Sequence, residues 1–345
     1  MVSIVPVSGL DPAHATRFAA WNEVFTAVDR EAFGPDEQGW ALDELRGMES
    51  SRFSRRIWLA AVDGDPASAP AVVGALALTL PTEDNHHLAF GWLTVLPAAR
   101  RRGIGSALLA AAHEVTLSQG RTVLTVESQW ASGGDDLTGA FLASRGFAPA
   151  QTTIRSELSL PADEARLLAV AGVEDAQGGE GAEYVLETTV DGMPDAWLDD
   201  RANLQQRMST DTPLGDLELQ EEAWDAARMR DEVDRALAAG RRYVETVARH
   251  KGSGRLVGFT TITVSAGAPD LAYQWDTLVL REHRGHGLGV RLKAANTLAL
   301  QRHAPAVRRA RTWNADDNAH MLAVNTALGY LPVGHSREWQ KHLGG

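Results

Sequence analysis

A glycine-rich turn with arginines occurs twice in this chain, and the residue types of both copies suit the binding of an anion. Residues 95–105 read VLPAARRRGIG and residues 279–289 read VLREHRGHGLG. Both follow V-L-x-x-x-R-x-x-G-x-G, with Arg100 and Arg284 separated by 184 positions. Glycines let backbone N–H groups point at one anion, and a helix that begins there adds the positive end of its dipole. We therefore expect each turn to hold a pyrophosphate.

The residues expected to hold this anion lie at the strand end and in the turn. In the first copy they are Val95, Arg100, Arg101, Arg102, Gly103, Ile104 and Gly105. In the second copy they are Leu278, Val279, Leu280, Arg284, Gly285, His286, Gly287, Leu288 and Gly289. Three consecutive arginines make the first turn the more basic of the two.

Other phosphate-binding motifs fit these turns less well. The dinucleotide fingerprint G-x-G-x-x-G lacks its third glycine, because Leu108 stands there. That fingerprint also requires an acidic residue at the end of the next strand. Glu127 stands there in the first half, but Trp313-Asn314 stands at the matching place in the second half. The G-K-[ST] of a P-loop and the motifs H-E-x-x-H and G-x-S-x-G do not occur. The turns thus indicate a phosphate ligand of another kind.

Composition limits the classes of protein. The 345 residues include no cysteine, which excludes disulfides, thiolate catalysis and cysteine-ligated zinc within the chain. The net charge of −12 disfavours extended nucleic-acid contact and favours cationic ligands such as amines, although it also fits simple solubility. The sequence has neither a secretory signal nor an apolar run of about 20 residues, so we expect a cytoplasmic protein without membrane contact.

Similar elements must position the two turns. In the first half they are strand Ile4–Val7, helices Pro12–Val28 and Asp36–Met48, strands Ile57–Val62, Val72–Leu80 and Leu88–Val95, helix 104–119 and strand Thr122–Glu127. In the second half they are strand Tyr184–Thr189, helices Asp195–Gln206 and Glu218–Ala239, strands Arg242–Ala248, Leu256–Val264 and Leu271–Leu280, helix 288–302 and strand Arg309–Trp313. A short helix and a glycine–aromatic pair, Gly146-Phe147 or Gly329-Tyr330, end each series.

This order predicts an α/β fold with α+β layering, in which each domain has a mixed, mostly antiparallel sheet flanked by helices. The repeat spacing suits tandem domains at residues 1–160 and 183–345. Residues 161–182 are acidic and glycine-rich and are the expected linker, with a short helix at Arg166–Val170.

The turn, the following helix and strand, and the glycine–aromatic corner together resemble the GNAT superfamily of acyl-CoA N-acyltransferases. They do so twice, over nearly the whole chain. The second half resembles the C-terminal half of tandem GNAT proteins of actinomycetes through 208–216 (MSTDTPLGD), 274–279 (QWDTLV), 283–289 (HRGHGLG) and 312–330. This resemblance implies a gap between the fourth and fifth strands of each domain, in which the pantetheine arm of acetyl-CoA lies and a fourth-strand N–H holds the thioester oxygen.

The resemblance also implies two residues after the fifth strand. An asparagine contacts the cofactor, and a tyrosine seven residues later protonates the leaving thiolate. Asn318 matches the asparagine, but Asn325 stands at the tyrosine position; the first half has Asp135 and Leu142 there. A water is an alternative acid, since a thiol of pKa about 8.5 leaves readily. We favour the second domain as catalytic and the first as a degenerate, supporting one.

Amine attack requires a base near the fourth strand, for which Asp276, Tyr273 and Glu245 are candidates. The alternatives are a structural carboxylate for Asp276, core packing for Tyr273 and a solvent-facing strand position for Glu245. The expected activity is acetyl-CoA-dependent N-acetylation of a small, cationic amine without a metal, by a monomer (an internal pseudo-dimer) or a homodimer. The other hypotheses are a non-catalytic acyl-CoA-binding regulatory module and an aminoacyl-tRNA-dependent transferase.

Overall fold

Strands and helices follow one another in the same order twice along the chain. The computed structural model describes residues 2–64, 71–171 and 183–344. The first series comprises β1 (Val2–Val7), α1 (Ala15–Phe33), α2 (Leu42–Glu49), β2 (Ser54–Asp63), β3 (Ala71–Pro81), β4 (Leu88–Val95), α3 (Ile104–Ser118), β5 (Val123–Ala131), α4 (Leu137–Ala143) and β6 (Ala148–Ser159). The second comprises α5 (Glu164–Ala171), β7 (Tyr184–Val190), α6 (Leu198–Asp211), α7 (Ala226–Ala238), β8 (Arg242–His250), β9 (Leu256–Val264), β10 (Leu271–Val279), α8 (Leu288–His303), β11 (Arg309–Ala315), α9 (Ala319–Leu328) and β12 (Leu331–His342).

The described residues form two compact units. The first unit contains the chain up to Thr153 together with Leu214–Leu219 and the residues from Gly334 onward. The second unit contains Ile154–Pro213 and Gln220–Val333. Each unit therefore receives part of a strand from the other half of the sequence: β12 pairs with β5 in the first unit. The domain limits predicted from the sequence divide the chain once and do not include this exchange of strands. The glycines of the predicted linker lie outside the described residues.

The sheets have the predicted mixed character. In the first unit the strand order is β1-β2-β3-β4-β5-β12, and in the second it is β6-β11-β10-β9-β8-β7. Pairs β4–β5 and β10–β11 are parallel, whereas β1–β2, β2–β3, β3–β4, β5–β12, β7–β8, β8–β9 and β9–β10 are antiparallel. The predicted fold class is confirmed.

Helices bury both faces of each sheet. In the first unit α1 packs stacked rings of Phe18 and Trp21 against Trp58 of β2. The opposite face packs against α3 through Leu108 and Leu76, which are fully buried. In the second unit one core lies between the sheet and α5, α8 and α9, and another lies beneath α6 and α7. Burial of such large apolar side chains is the main stabilising contribution, about 1.5–3 kcal/mol for each.

Most element boundaries match the expectation, with two exceptions at helix starts. The helix expected from Asp36 begins at Leu42, and the helix expected from Glu218 begins at Ala226. Asp225 explains the second start, because its side chain accepts a hydrogen bond from the Arg228 N–H and caps the helix. The short helix expected in the linker is confirmed as α5. No helix in the described part of the chain has the length and apolarity needed to cross a membrane.

Candidate active site

In the second unit, β10 and β11 separate soon after they pair. Three residue pairs hold them together, ending at Tyr273 and Arg311. Beyond Tyr273, β10 continues beside β9 as far as Val279. The edge of β10 that faces β11 is therefore open over its second half.

A β-bulge lies at this point of separation. Gln274 is opposite Ile262 and Thr277 is opposite Thr260, so Trp275 and Asp276 share one partner position on β9. A bulge interrupts the alternation of side chains and bends the strand. Here the Trp275 and Asp276 side chains reach the α6 face of the sheet: Trp275 Nε1 donates to Thr263 Oγ1 at 2.7 Å, and Gln205 Nε2 of α6 donates to Asp276 Oδ2 at 3.0 Å.

The open edge of β10 offers backbone donors. The Leu280 N–H donates to Val257 O at 2.9 Å and so points to β9. Because backbone directions alternate along a strand, the N–H groups of Val279 and Thr277 point away from β9, into the gap. Of the three strand residues proposed from the sequence, Val279 faces the gap with its backbone, whereas the N–H groups of Leu278 and Leu280 face β9. Thr277 is the donor that sequence reasoning missed.

The second glycine turn leaves space in front of α8. Gly285 and Gly287 have φ of 89° and 67°, in the left-handed region that glycine tolerates best. Gly287 is the N-cap of α8 and supplies no side-chain cap, so the first N–H groups of the helix remain available. Gly289 has an ordinary φ, and a Cβ added there would meet no atom within 4 Å. Neither backbone strain nor packing requires this glycine, so it fits a cradle kept open for a ligand.

Positive charge is in excess beside this turn. Arg207, Arg281 and Arg284 all lie against one carboxylate, that of Asp211, at 3.2, 3.3 and 3.6 Å. The Asp211 side chain is almost completely buried, whereas the three arginine side chains are 40–62% exposed. Arg284 Nε also donates to Val279 O at 3.0 Å, which fixes the start of the turn to the end of β10. One carboxylate cannot neutralise three arginines, so the cluster attracts an anion.

The other residues of the second turn have different surroundings. The Leu288 side chain is buried in the core. His286 Nδ1 lies 4.0 Å from Glu183, and His283 Nδ1 lies 3.0 Å from the Tyr184 hydroxyl. Their rings lie against that of Tyr184.

Asp276 lies beside an aromatic wall. The Tyr273 ring stacks between Trp275 and Trp313, with centroid distances of 5.7 and 6.1 Å. Trp275 remains 39% exposed, and Asp276 is half-buried. A carboxylate next to exposed aromatic faces suits a cationic or amine-bearing ligand. Tyr273 packs in the core, as its alternative interpretation held.

Glu245 is neither solvent-facing nor open to a substrate. It is fully buried and paired with Arg201, whose Nε donates to it at 2.7 Å. The hydroxyls of Tyr243 and Thr261 also donate to it, at 2.5 and 2.8 Å. A buried carboxylate engaged by this set of donors has a structural role. The solvent-facing alternative is therefore wrong, and the geometry gives Glu245 no access to an amine.

Asn325, at the position of the family's tyrosine, belongs to a buried network. Its Oδ1 accepts from Lys293 Nζ and its Nδ2 donates to Asn314 Oδ1, both at 2.5 Å. Burial lowers the pKa of Lys293 to about 7. Asn318 caps α9, because its Oδ1 accepts from the Met321 N–H at 3.2 Å. That bond leaves the Asn318 Nδ2 as the group that can face a ligand.

In the first unit the two parallel strands stay paired for longer, so the gap between them is shorter. Five pairs join β4 and β5 in register, ending at Trp92 and Glu127. The pairing of β3 with β4 runs from Thr79–Phe90 to Gly74–Val95 without a register shift. The described part of the first unit thus has no counterpart of the bulge at Asp276.

The first turn is also less basic than its sequence suggests. Arg100 pairs with Glu31, and Arg102 Nη2 lies 2.6 Å from Asp63 Oδ2. The Arg102 guanidinium holds the pKa of Asp63 below its usual range. Two of the three arginines are therefore neutralised one to one, and the third, Arg101, adopts a left-handed φ of 64°. The three arginines of this copy therefore carry less free charge than their number in the sequence suggests.

The remaining residues of the first copy pack within the protein. Ile104 is buried, and Val95 O accepts from Arg100 Nε at 3.2 Å. A Cβ at Gly105 would lie 3.5 Å from the Phe141 ring, so this glycine already has a neighbour. Gly103 is the N-cap of α3, with φ of 82°.

The residues after β5 differ as well. Leu142 is completely buried. Asp136, rather than Asp135, caps α4, where its Oδ1 accepts from the Gly139 N–H at 2.6 Å. The counterpart of Asn318 is thus a carboxylate one position later than the sequence suggested. Among the described residues of the whole chain, no group of three His, Cys, Asp or Glu could hold a metal ion.

The comparisons with known proteins agree with this geometry. The family model described as "Acetyltransferase (GNAT) family" matches residues 20–129 and 205–330, together more than half of the chain. The chain belongs to this family, and its fold is that of an acyltransferase. Among curated protein sequences, none matches this chain.

Solved structures include full-length matches. The chain is similar to a tandem GNAT protein from the clavulanic acid biosynthesis pathway, with 28% identity over 100% of this chain and 99% of that one and a TM-score of 0.77. A GCN5-related N-acetyltransferase from Sphaerobacter thermophilus matches over 99% and 96% with 14% identity and a TM-score of 0.64. A putative acetyltransferase from Pyrococcus horikoshii matches over 99% and 89% with 12% identity and a TM-score of 0.56. The first match supports tandem GNAT domains, and the other two show the fold alone.

Proposed function

We propose that the second unit transfers an acetyl group from acetyl-CoA to a primary amine of a small, cationic molecule. The observation that supports this most is the combination of an open, bulged β10 edge with a glycine turn backed by three arginines on Asp211. The first unit lacks both features in its described residues.

The turn and the arginine cluster would hold the pyrophosphate of acetyl-CoA. The N–H groups at the start of α8 supply donors, and Arg207, Arg281 and Arg284 supply charge. The open space at Gly289 gives the phosphates access to the backbone. Asn318, at the start of α9, offers its amide to the same ligand.

Acetyl-CoA supplies the acyl group as a thioester, which an amine attacks at the carbonyl carbon. The N–H groups of Thr277 and Val279 point into the gap, where they can stabilise negative charge on the thioester oxygen. Asp276 accepts a proton so that the amine is neutral when it attacks, and Gln205 fixes the orientation of its carboxylate. The faces of Trp275 and Trp313 attract the cationic acceptor.

No side chain needs to protonate the leaving thiolate. Asn325 is an amide engaged on both sides by Lys293 and Asn314, so it supplies no proton. A thiol with a pKa of about 8.5 leaves as an acceptable anion and takes a proton from water.

The direct test is to incubate the full chain with acetyl-CoA and a panel of primary amines and to follow thiol release. We expect amine-dependent release for at least one cationic amine and acetylation of that amine by mass spectrometry. Thiol release that no amine raises above the rate of hydrolysis would contradict the proposal.

A second candidate is a non-catalytic acyl-CoA-binding module that regulates a partner. The observation in its favour is that Asn325 and Leu142 stand where the family has its acid. This candidate requires tight binding of CoA without turnover of any amine, and calorimetry with CoA in parallel with the thiol assay separates the two.

A further inference from the structure

A network of hydrogen bonds in the second unit joins a buried ion pair to Asp276. Arg201 and Gln205 are four residues apart on α6, so their side chains lie on one face of the helix. Arg201 Nη2 donates to Gln205 Oε1 at 3.3 Å, and Gln205 Nε2 donates to Asp276 Oδ2 at 3.0 Å. Arg201 Nε also donates to Glu245 Oε1 at 2.7 Å. Gln205 therefore connects the ion pair of Arg201 and Glu245 to the carboxylate that we propose as the base.

The groups in this network allow one orientation of the Gln205 amide. A guanidinium group donates hydrogen bonds and accepts none, so the amide oxygen must face Arg201. A carboxylate accepts hydrogen bonds, so the amide nitrogen must face Asp276. If the amide turned by half a rotation, N–H groups would face the guanidinium and an oxygen would face the carboxylate, and both hydrogen bonds would be lost. Arg201 thus determines which end of Gln205 meets Asp276.

Contacts on several sides hold Arg201 in place. Its side chain is 2% exposed, and that of Glu245 is completely buried. The guanidinium carbon lies 3.5 Å from the centroid of the Phe259 ring. The hydroxyls of Tyr243 and Thr261 donate to Glu245 from the sheet. Burial and the charge of Glu245 raise the pKa of Tyr243 well above its usual value, so this hydroxyl keeps its proton as a donor. Together these contacts fix the plane of the guanidinium group.

Stability alone does not account for this ion pair. Two charges lose their hydration when they are buried, and this cost offsets the attraction between them, so that an apolar pair of similar volume often gives equal stability. The pair does act electrostatically on its surroundings. Although burial opposes the charge of Arg201, anionic groups that include Glu245 and Asp276 raise its pKa above the usual value. Asp276 is therefore within reach of the charge of Arg201, and a positioning role accounts for the pair.

We propose that Arg201, held by Glu245, is a positioning residue for Asp276 and acts through Gln205. Because the Gln205 amide engages Oδ2 of Asp276, Oδ1 is the oxygen that takes the proton which the ammonium group of the acceptor loses before it attacks. The network keeps the carboxylate in this orientation while the acceptor binds. The role in the reaction rests on the acetyl transfer proposed above, whereas the placement of Asp276 can be tested without turnover.

Gln205→Glu tests the amide donor in the acetyl-transfer assay, because glutamate keeps the size of the side chain and an oxygen for Arg201. It removes the donor to Asp276, so kcat should fall about tenfold or more, while KM for acetyl-CoA stays within about twofold. The matched control is Gln206→Glu, since Gln206 is the next residue of α6 and donates to Glu221 at 2.9 Å. This control should keep the kcat of the wild type. An unchanged kcat in Gln205→Glu would overturn the proposal.

Arg201→Lys tests whether the ion pair acts through Gln205. Lysine keeps a positive charge for Glu245 but loses the planar fork with which arginine reaches two partners at once. We expect kcat to fall in Arg201→Lys, and the double variant with Gln205→Glu should lose less activity than the product of the two single losses, because both changes break one network. Losses that multiply fully would show that the two residues act independently, which refutes positioning through Gln205.

Nuclear magnetic resonance tests the network without turnover, in the full chain isotope-labelled at its glutamine side-chain amides. The Gln205 signals are identified by their loss in Gln205→Glu. They should shift in both Asp276→Asn and Arg201→Lys and stay in place in Glu221→Gln, which removes the carboxylate beside Gln206. Gln205 signals that do not respond to Asp276→Asn would overturn the proposal, whether or not Arg201→Lys folds. Shifted signals in a protein that acetylates no amine would keep the placement of Asp276 and count against the proposed function instead.

Discussion

The two glycine turns share one sequence pattern but differ in the charge around them. In the first unit Arg100 and Arg102 each have a carboxylate of their own, whereas in the second unit three arginines share Asp211. The strands that lead into the turns differ too, since only β10 has a bulge among the described residues of these two strands. A repeated motif thus marks a repeated fold, and the partners of its arginines decide whether the turn keeps charge for a ligand.

The gap between the parallel strands is also longer in the second unit than in the first. In the second unit β10 leaves β11 after three pairs, and Asp276 stands at the opening. In the first unit β4 stays with β5 for five pairs, and Glu127 is the last residue of β5 that pairs with β4.

The largest expected effect concerns Asp276, the base that we propose for the second unit. Asp276→Asn keeps the shape of the side chain but removes its ability to accept a proton. If acetyl transfer takes place in the second unit, kcat should fall by about 10²–10⁴-fold. Steady-state thiol release at saturating acetyl-CoA measures this, and CoA affinity should stay within about twofold as the control for folding. A variant that keeps full kcat would remove Asp276 from the mechanism.

The next effect concerns Lys293, whose counterpart at the same distance from the turn in α3 is Leu109. Its pKa is lowered from 10.5 to about 7 in the folded protein, so the folded state binds this proton less tightly than the unfolded chain. The free energy of unfolding should therefore rise as the pH is raised from 7 toward 10. Lys293→Leu should remove this rise. Thermal unfolding over this pH range tests it, and an unchanged pH dependence in the variant would count against the buried ammonium.

The arginine clusters should respond unequally to loss of one member. Arg281→Ala in the second unit should weaken CoA binding about tenfold, since one charged contact contributes about 1.5 kcal/mol. Arg102→Ala in the first unit is the matched control and should leave CoA affinity within about twofold, because Arg102 is already neutralised by Asp63. Titration calorimetry measures both, and the opposite ranking would reverse the assignment of the units.

The smallest effect concerns the two helix caps. Asn318→Ala and Asp136→Ala should each lower stability by about 1 kcal/mol, because each removes a side-chain cap. Of the two, Asn318→Ala should also weaken CoA binding, by a few fold. Melting temperature and CoA titration on the same samples separate the two consequences. Equal CoA affinities in both variants would limit Asn318 to its capping role.

The sequence predicts the elements well because their patterns are local. Strand alternation, the glycine turns and the alanine-rich helices place β4, α3, β10 and α8 within a few residues. The strand exchange of β12 escaped prediction, because pairing with β5 depends on contacts more than 200 residues apart in sequence.

For the candidate site, too, local motifs could be predicted from the sequence, whereas tertiary contacts could not. Asp276 and the second turn stand out in the sequence because their motifs are contiguous. Asp211 lies within a quoted motif, but nothing in the sequence shows that three arginines converge on it. Lys293 looks like an ordinary helix position, and only the structure shows its burial beside Asn325. Charge balance and burial depend on tertiary contacts, so they could not be derived from spacing.

The central claim, that the second unit is the one that holds acyl-CoA, is tested most directly by titration calorimetry of CoA into three proteins. These are the wild type, Gly289→Val and Gly105→Val, and both substituted positions have room for a Cβ. We predict one equivalent of CoA bound by the wild type, affinity reduced at least tenfold in Gly289→Val, and unchanged binding in Gly105→Val. Loss of binding in Gly105→Val with full binding in Gly289→Val would contradict the account.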